Sequence, residues 1–504
     1  MNKIETITRE KFNLVDKIVE IFSPQRAFER IAYREALDLK RNYKAARDSR
    51  GSTGWHTSNA NAEQADRPYR NTIRARARDL ERNNAIAEGV VSAFVRNVVG
   101  TGFRVQAKVK NKNGTDNDKI NNQIEKLWKK WCRPRNCDIS GKKSFAKTQR
   151  LALHRKKYDG EALFLKVYDT TATVVPFKLQ MLRPDMLDTS MISGNDGRQV
   201  VSGIEVDEYL KPVAYWLYKE DINGYTVTTQ STRIPADRII HMFDQRDPTQ
   251  VRGMSEIARV MSEIHDTGEY LEAERIKARI AACLCAVIET PDIGRFNRGR
   301  SASQETGQTE FEFSPGMVHQ LLPGEKLSVV NPGNIPTSPE GYARAQQRII
   351  GSGVGLSYEM VSRDSSQSTY SSARHALLED RKTFEPMQND MIDEFCYEVY
   401  TEFIISAVLS GALVIPDFWA DKERYLEHKW ITPGWAWIDP LKDVKASQNE
   451  LEINVTTLEE KCAEQGKDWK EVVEQRAKEM AYLKENNLVP VVADGGVVVA
   501  SQKK

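Results

Sequence analysis

The hydrophobic pattern of this 504-residue chain changes period several times, and each change predicts an element. Over residues 68–99 apolar side chains return at steps of three and four, with Ile86, Val90, Ala93 or Phe94, and Asn97 or Val98 on one face. That spacing predicts a helix, stopped by Gly100 and Gly102. Between residues 161 and 243 the period falls to two, as in Leu163, Leu165, Val167 and in Val213, Tyr215, Leu217. With turn signals at 194–197 (GNDG) and at Asn223 and Gly224, this predicts an antiparallel meander. Helical spacing resumes over 254–285, where Ile257, Ile264, Leu271, Ala278 and Cys285 form a seven-residue seam of the kind that packs against another long helix. Residues 286–337 are rich in Gly, Pro and Ser, with extended pieces at 311–313 and 317–322, and read as a small insertion between two helices. A helix over 339–350 follows, then GSGVG at 351–355 as a flexible exit, then a polar stretch at 362–372. A second long helix begins near Ala373 with Leu377, Phe384, Met391, Phe395, Val399 and Phe403 on one side, and Pro386 inside it should kink it. The aromatic patch 430–440 precedes short C-terminal helices, so the fold class is α+β.

Composition narrows the function classes. With 40% hydrophobic residues the chain can fill several cores. Its longest strongly apolar run, 404–415, is about half of the ~20 residues that a membrane-spanning helix needs, and the N-terminus mixes Lys, Glu and Arg, so no membrane is expected and the chain is placed in the cytoplasm. Six cysteines are too sparse for a disulfide framework and lack zinc spacing; reduced, buried thiols are expected. The net charge of +2 conceals an uneven distribution, because residues 1–160 carry 36 basic and 18 acidic residues and the remainder 37 and 53. Such a division points to a polyanion or to complementary contacts between copies, unless folding intermixes the two halves.

Catalytic chemistry is hard to find. GKKS at 141–144 resembles the end of a phosphate-binding loop, but Asn136 stands where its leading glycine should be. GSGVG lacks the dinucleotide spacing and follows a helix. His241, Asp244, Asp247 and Glu256 would be the ligands of a hydrolytic metal, yet His241 alternates with Ile240 and Met242 as in a strand, and the segment after it reads as a turn into a helix. No His-Glu-x-x-His pattern and no Gly-x-Ser-x-Gly elbow occurs. The expectation is a protein that is not an enzyme and holds no metal or cofactor. In RARARDLERNN, Arg74, Arg76, Arg78 and Arg82 are spread around the helix, which suits either a solvated helix or contact with a subunit or nucleic acid.

Several strings, taken in order, carry a resemblance: RARARDLERNN, NVVGTGFRVQ, DQRDPTQVRGMSEI, GVGLSYEMVSRDSSQSTYSSARHALLEDRKTF and PGWAWIDPLKDVKA. Over residues 69–488 the chain resembles the lambda-type portal family of phages. The resemblance implies a portal-type fold: an N-terminal arm (1–66), a mixed α/β wing (67–250 with 400–438), stem helices (254–285 and 339–355) and a clip (286–337). It further implies a tunnel loop (356–372), a long kinked helix (373–410), a helical crown (439–490) and a tail (491–504). The implied function is a homo-oligomeric ring, usually of twelve copies, at one capsid vertex of the virion, assembled in the host cytoplasm. Double-stranded DNA would pass through it during packaging and leave through it at infection. The terminase large subunit, an adaptor or head-completion protein, and the major capsid and scaffold proteins are the implied partners. About twelve helices at ~10 Å spacing enclose a channel of about 28 Å, which passes a duplex with water around it.

The site residues follow from this. Arg363, Asp364, Ser365, Ser366, Gln367, Ser368 and Thr369 would line the channel, with the Arg363 and Asp364 charges nearly cancelling. Arg275, Lys277 and Arg279 would be stem-channel cations, and Arg295, Arg298 and Arg300 clip residues that meet acidic partners. The competing readings are another ring-forming capsid-associated structural protein and a metal-dependent nuclease acting on phage DNA.

Overall fold

A computed structural model describes residues 59–194, 197–220, 226–282, 286–289, 326–329, 338–435 and 440–486. The chain divides into two units, 1–60 and 61–504, and the description concerns the second. Most of the expected N-terminal arm, the pieces at 311–313 and 317–322, the Asn223–Gly224 turn, Cys283 and Cys285, and the tail lie outside the described residues.

The first helix, α1 (Ala62–Asn83), starts inside the stretch assigned to the arm, because Asn61 caps it by accepting from the Gln64 N–H at 2.9 Å. Pro68 lies within α1 rather than at its start. The expected single helix is two, because Asn84 leaves helical geometry and caps α2 (Ala85–Phe94) through the N–H groups of Ile86 and Ala87. A π turn (Val95–Val99) ends at Gly100. Strand β1 (Arg104–Ala107), α3 (Asp118–Trp131) and α4 (Phe145–Asp159) complete the first half.

The period-two region is not a simple meander. Strands β2 (Glu161–Tyr168) and β3 (Phe177–Leu182) form a hairpin, then β4 (Val200–Val201), β5 (Ile204–Val206), β6 (Pro212–Glu220) and β7 (Thr226–Pro235) build a separate antiparallel sheet. Strand β8 (Ile239–Phe243) then returns to the free edge of β2, giving the order β3-β2-β8. Alternation on β2 explains the double layer: Ala162 and Phe164 face the main core, while Leu163 faces a second core with Ile204, Tyr215 and Leu217.

Helices α5 (Met261–Ala282) and α6 (Pro339–Val354) flank the insertion, whose described part is an antiparallel pair, β9 (Ala286–Glu289) with β10 (Lys326–Val329). After α7 (Tyr358–Ser362), α8 runs Tyr370–Met391 with Pro386 inside it; a π turn (Ile392–Cys396) and α9 (Tyr397–Leu409) continue it. Strand β11 (His428–Ile431) pairs antiparallel with β1, and α10 (Pro440–Glu452), α11 (Leu458–Glu464) and α12 (Trp469–Glu485) close the described chain. The main core gathers Trp128, Trp131, Phe145, Phe177, Phe395 and Phe403, and the Trp131 indole N–H donates to the Phe177 carbonyl at 2.7 Å. Each such aromatic pair is worth about 0.5–1.5 kcal/mol beyond its area. Cys137 and Cys396 are buried and Cys132 and Cys462 half-buried, all as free thiols.

The arginines of α1 overturn both readings offered for them. Arg70, Arg74 and Arg78 lie one turn apart on a single face that points inward, whereas Arg76 and Arg82 are exposed. Glu161, fully buried, accepts from Arg74 at 2.6 Å, from Arg252 at 2.5 and 2.8 Å, and from the Nε2–H of His241 at 3.0 Å. Glu63 accepts from Arg70 at 2.8 Å, Ser202 at 3.1 Å and the Arg252 N–H at 3.1 Å, while Arg78 spans Asp159 and Asp185 at 2.7 Å each. Burial alone would raise the Glu161 carboxyl; the charge and hydrogen bonds of Arg252, with His241 and Arg74, hold it well below the usual carboxylate range. Beside it the backbones of Gly160 and Gly253 touch, since a Cβ on Gly253 would fall 2.0 Å from the Gly160 oxygen.

Much of the charge asymmetry closes within one chain. Lys156 pairs with Glu394 at 2.8 Å, Lys157 with Glu256, buried Lys166 with Glu398 and Glu402, Lys108 with Glu459 at 3.1 Å, and Lys129 with Glu471 at 2.5 Å.

Removing one partner of a buried ion cluster leaves the rest uncompensated, so Glu161→Gln should lower unfolding free energy by about 3–5 kcal/mol, read by chemical denaturation. Wild-type stability in the variant would contradict the account. Acid should act earlier than carboxylate titration. Burial lowers His241 below the ordinary histidine value despite Glu161, and burial lowers His154 and His428 as well. Below about 6.5 the unfolded chain takes up protons that these imidazoles refuse, so stability is complete above that pH and is lost as pH falls toward the depressed folded values. His241→Gln should make the fall between pH 7 and 5 shallower; an unchanged slope would count against it.

Candidate channel loop and stem helices

The polar loop is shorter and better anchored than its sequence suggests. Residues 356–362 belong to a cap and to α7, and 370–372 already belong to α8, leaving 363–369 as the loop. Its base is a clasp. Asp380 of α8, buried, accepts from the N–H of Ser357 at 2.7 Å and from its hydroxyl at 2.6 Å, and Thr383 donates to the Gly355 carbonyl at 3.0 Å. The GSGVG string is no flexible exit. Gly351 and Gly353 lie inside α6, where a Cβ would come within 2.5 Å of the Leu356 oxygen and 2.3 Å of Val260 Cγ1; only Gly355, left-handed at φ +77°, ends the helix.

Within the loop Arg363 is itself left-handed, φ +58°, closing α7 by donating its N–H to the Glu359 carbonyl at 2.9 Å. Asp364 accepts from the Ser366 N–H at 2.9 Å and the Tyr358 hydroxyl at 3.1 Å, and lies 3.6 Å from the Arg344 guanidinium. The Ser366 contacts and the Tyr358 hydroxyl hold its carboxyl below the usual range. The expected cancellation of Arg363 by Asp364 therefore does not occur, because Asp364 is committed to Arg344 and Tyr358. Ser365, Ser366, Gln367 and Thr369 are exposed or nearly so, and Ser368 bonds the Ser365 carbonyl at 3.1 and 3.2 Å. Thr369 is the N-cap of α8, accepting from the Ser372 N–H at 3.3 Å.

On α5 the seam divides. Ile257 and Ile264 are buried, but Leu271 is 40% exposed and Ala278 is exposed too. Ring contact between Tyr270 and Tyr342, 4.3 Å between centroids, joins α5 to α6. Asn84 ties α5 to α2 by donating to the Ile264 carbonyl at 3.2 Å. Arg275 pairs with Glu272 at 2.8 Å and Lys277 with Glu274 at 3.7 Å, both one turn back on α5, and Arg279 is exposed. Arg295, Arg298 and Arg300 lie outside the described residues.

The four groups considered for a metal are not brought together. His241 serves Glu161, Asp244 pairs with Arg246 at 3.1 Å, Asp247 accepts from the Thr249 N–H at 2.8 Å, and Glu256 holds Lys157. Among the described residues no group of three or more His, Cys, Asp or Glu side chains has metal-holding geometry. At 141–144, the space a phosphate would need is taken by Asp138, which accepts from the Lys142 and Lys143 N–H groups at 3.0 and 3.1 Å. The residues that sequence reasoning missed are Arg70, Arg252 and Glu161; the four-residue step Arg70-Arg74-Arg78 was the available signal.

A long helix pair around an insertion, followed by a clasped polar loop and a long helix with a π turn, defines a class of ring-building structural protein rather than a catalytic pocket. Residues 48–388 match the family described as phage portal protein, lambda family, and the chain belongs to that family. A probable portal protein of Halomonas phage phiHAP-1 is 28% identical over 461 residues, spanning 90% of this chain and 88% of that one. The portal proteins of Escherichia phage N15 (23%; 90% of this chain, 92% of that one) and Escherichia phage lambda (portal protein B, 22%; 86% and 88%) are similar over comparable lengths. Among solved structures, the neck of an empty GTA particle aligns over 78% of this chain and 93% of that one, at 14% identity and TM-score 0.44.

The clasp makes one substitution informative. A methyl on Gly351 meets backbone rather than a flexible side chain, so Gly351→Ala should destabilise the protein by about 1–3 kcal/mol. Equal stability, read by thermal denaturation, would show that the α6–α7 turn is looser than described.

Proposed function

We propose that copies of this chain assemble into a ring at one capsid vertex, with α5 and α6 as the stem and residues 363–369 as a loop lining the DNA channel. The observation that carries the reading is the divided seam. Leu271, Ile276 and Ala278 on α5, and Tyr342 and Ile349 on α6, are exposed at positions whose spacing suits helix packing. A neighbouring copy supplies the missing partner, and about twelve copies leave a channel of about 28 Å. The insertion around β9 and β10 is the clip, which docks the terminase large subunit during packaging and the adaptor afterwards, through Arg295, Arg298 and Arg300. The sheets form the wing that meets the capsid and scaffold proteins, and α10 to α12 form the crown. Such a role asks for no catalysis and no cofactor.

A channel that passes DNA both ways must contact phosphates weakly, since every cation that neutralises one adds a salt-dependent grip. The pairing of Arg275 and Lys277 with acids of their own helix suits this. The loop supplies hydroxyl and amide groups instead.

Removing residues 365–368 should leave folding and ring formation unchanged, seen by negative-stain imaging, yet impair packaging or retention of DNA. Replacing them with lysines should make DNA stick at low salt and release at high salt. Normal yields of filled, infectious particles with the shortened loop would make this the wrong loop.

A further inference from the structure

Arg96 and Arg363 belong to distant parts of the chain and meet beside α7. Arg96 sits in the π turn 95–99, and its neighbour Asn97 donates its amide toward the sulfur of Met360 in α7 at 3.8 Å. Arg363 closes α7 in the left-handed conformation. Arg348 of α6 lies over the ring of Tyr358, also in α7, at 5.5 Å. Three exposed guanidinium groups thus surround one short helix. Burial and then the positive charge of Arg363 lower Arg96, so the two like charges lie within electrostatic range. Among the described residues neither has a carboxylate at ion-pair distance. Asp364 serves Tyr358, Ser366 and Arg344, and Glu340 also pairs with Arg344 at 2.7 Å.

We propose that Arg96 and Arg363 of each copy form a contact site for a phosphate of the DNA backbone, with Arg348 as a flanking cation. This rests on reading 363–369 as the channel loop. Two guanidinium groups held together without a counter-charge repel each other. A phosphodiester relieves that repulsion, because its negative charge is spread over oxygens that accept from both planar forks. The contact reads no base and is the same for every sequence that passes. An acidic segment of a neighbouring copy is the competing occupant.

Rings of the full chain carrying Arg96→Gln or Arg363→Gln are compared with wild type in two measurements. Replacing chloride by inorganic phosphate at constant ionic strength should raise the wild-type thermal midpoint, and the rise should at least halve in either variant. A short DNA duplex should bind Arg96→Gln rings several-fold more weakly at low salt, with a flatter dependence of log K on log salt, while Arg96→Lys keeps most of the slope. In chloride alone Arg96→Gln should be no less stable than wild type, because a repulsion has been removed. Unchanged phosphate response and unchanged salt slope in both variants would overturn the site. Loss of the phosphate response with an unchanged DNA slope would assign it to free phosphate and also overturn the proposal. So would rings that fall apart in Arg96→Gln, which would give Arg96 to a neighbour's carboxylate. The phosphate response is read on protein alone, so its failure is distinguishable from failure of the loop reading, which shows in DNA packaging by the shortened loop.

Discussion

One buried carboxylate organises the body of the protein. Glu161 begins β2 at the point where the α4 backbone, the β8 return and the segment leading to α5 cross, and the contact between Gly160 and Gly253 leaves no room for anything but hydrogen bonds there. An isolated charge in that place would cost many kcal/mol. Arg74, Arg252 and His241 make it tolerable, and each comes from a different element, so α1, β8 and the root of the stem are fixed relative to one another by the same two oxygen atoms. Apolar contacts alone would permit sliding; the directed bonds of Glu161 do not.

This explains what could be read from sequence and what could not. Periodicity exposed the strands, the two helices around the insertion and the long helix, because each buries one face against a large core. It missed the break at Asn84, since the apolar stripe runs across it and the signal is a cap whose amide also reaches Ile264. It misjudged the arginines, because a stripe of Arg reads as solvated until its carboxylates are known, and Glu161 lies about ninety residues away. The uneven charge along the chain was legible, but its resolution by Lys156, Lys157 and Lys166 against Glu394, Glu256, Glu398 and Glu402 is a property of the fold.

The loop residues were legible as a polar segment between helices, and the structure narrows them to 363–369. What composition hid is the use of Asp364. Counting charges makes the loop neutral, whereas hydrogen bonding turns Asp364 toward Tyr358 and Arg344 and leaves Arg363 facing Arg96. A channel needs weak, renewable contacts, and a clasped base with an open polar tip offers them without a mobile hinge.

The central claim is that residues 363–369 meet DNA inside an assembled ring. A photo-crosslinking side chain placed at Ser366, activated in filled particles, tests it directly. The account predicts covalent attachment of the packaged DNA to this position, and none from the same group placed at Tyr209, an exposed residue between β5 and β6. Crosslinks from position 366 to protein alone, in particles that hold DNA, would contradict it.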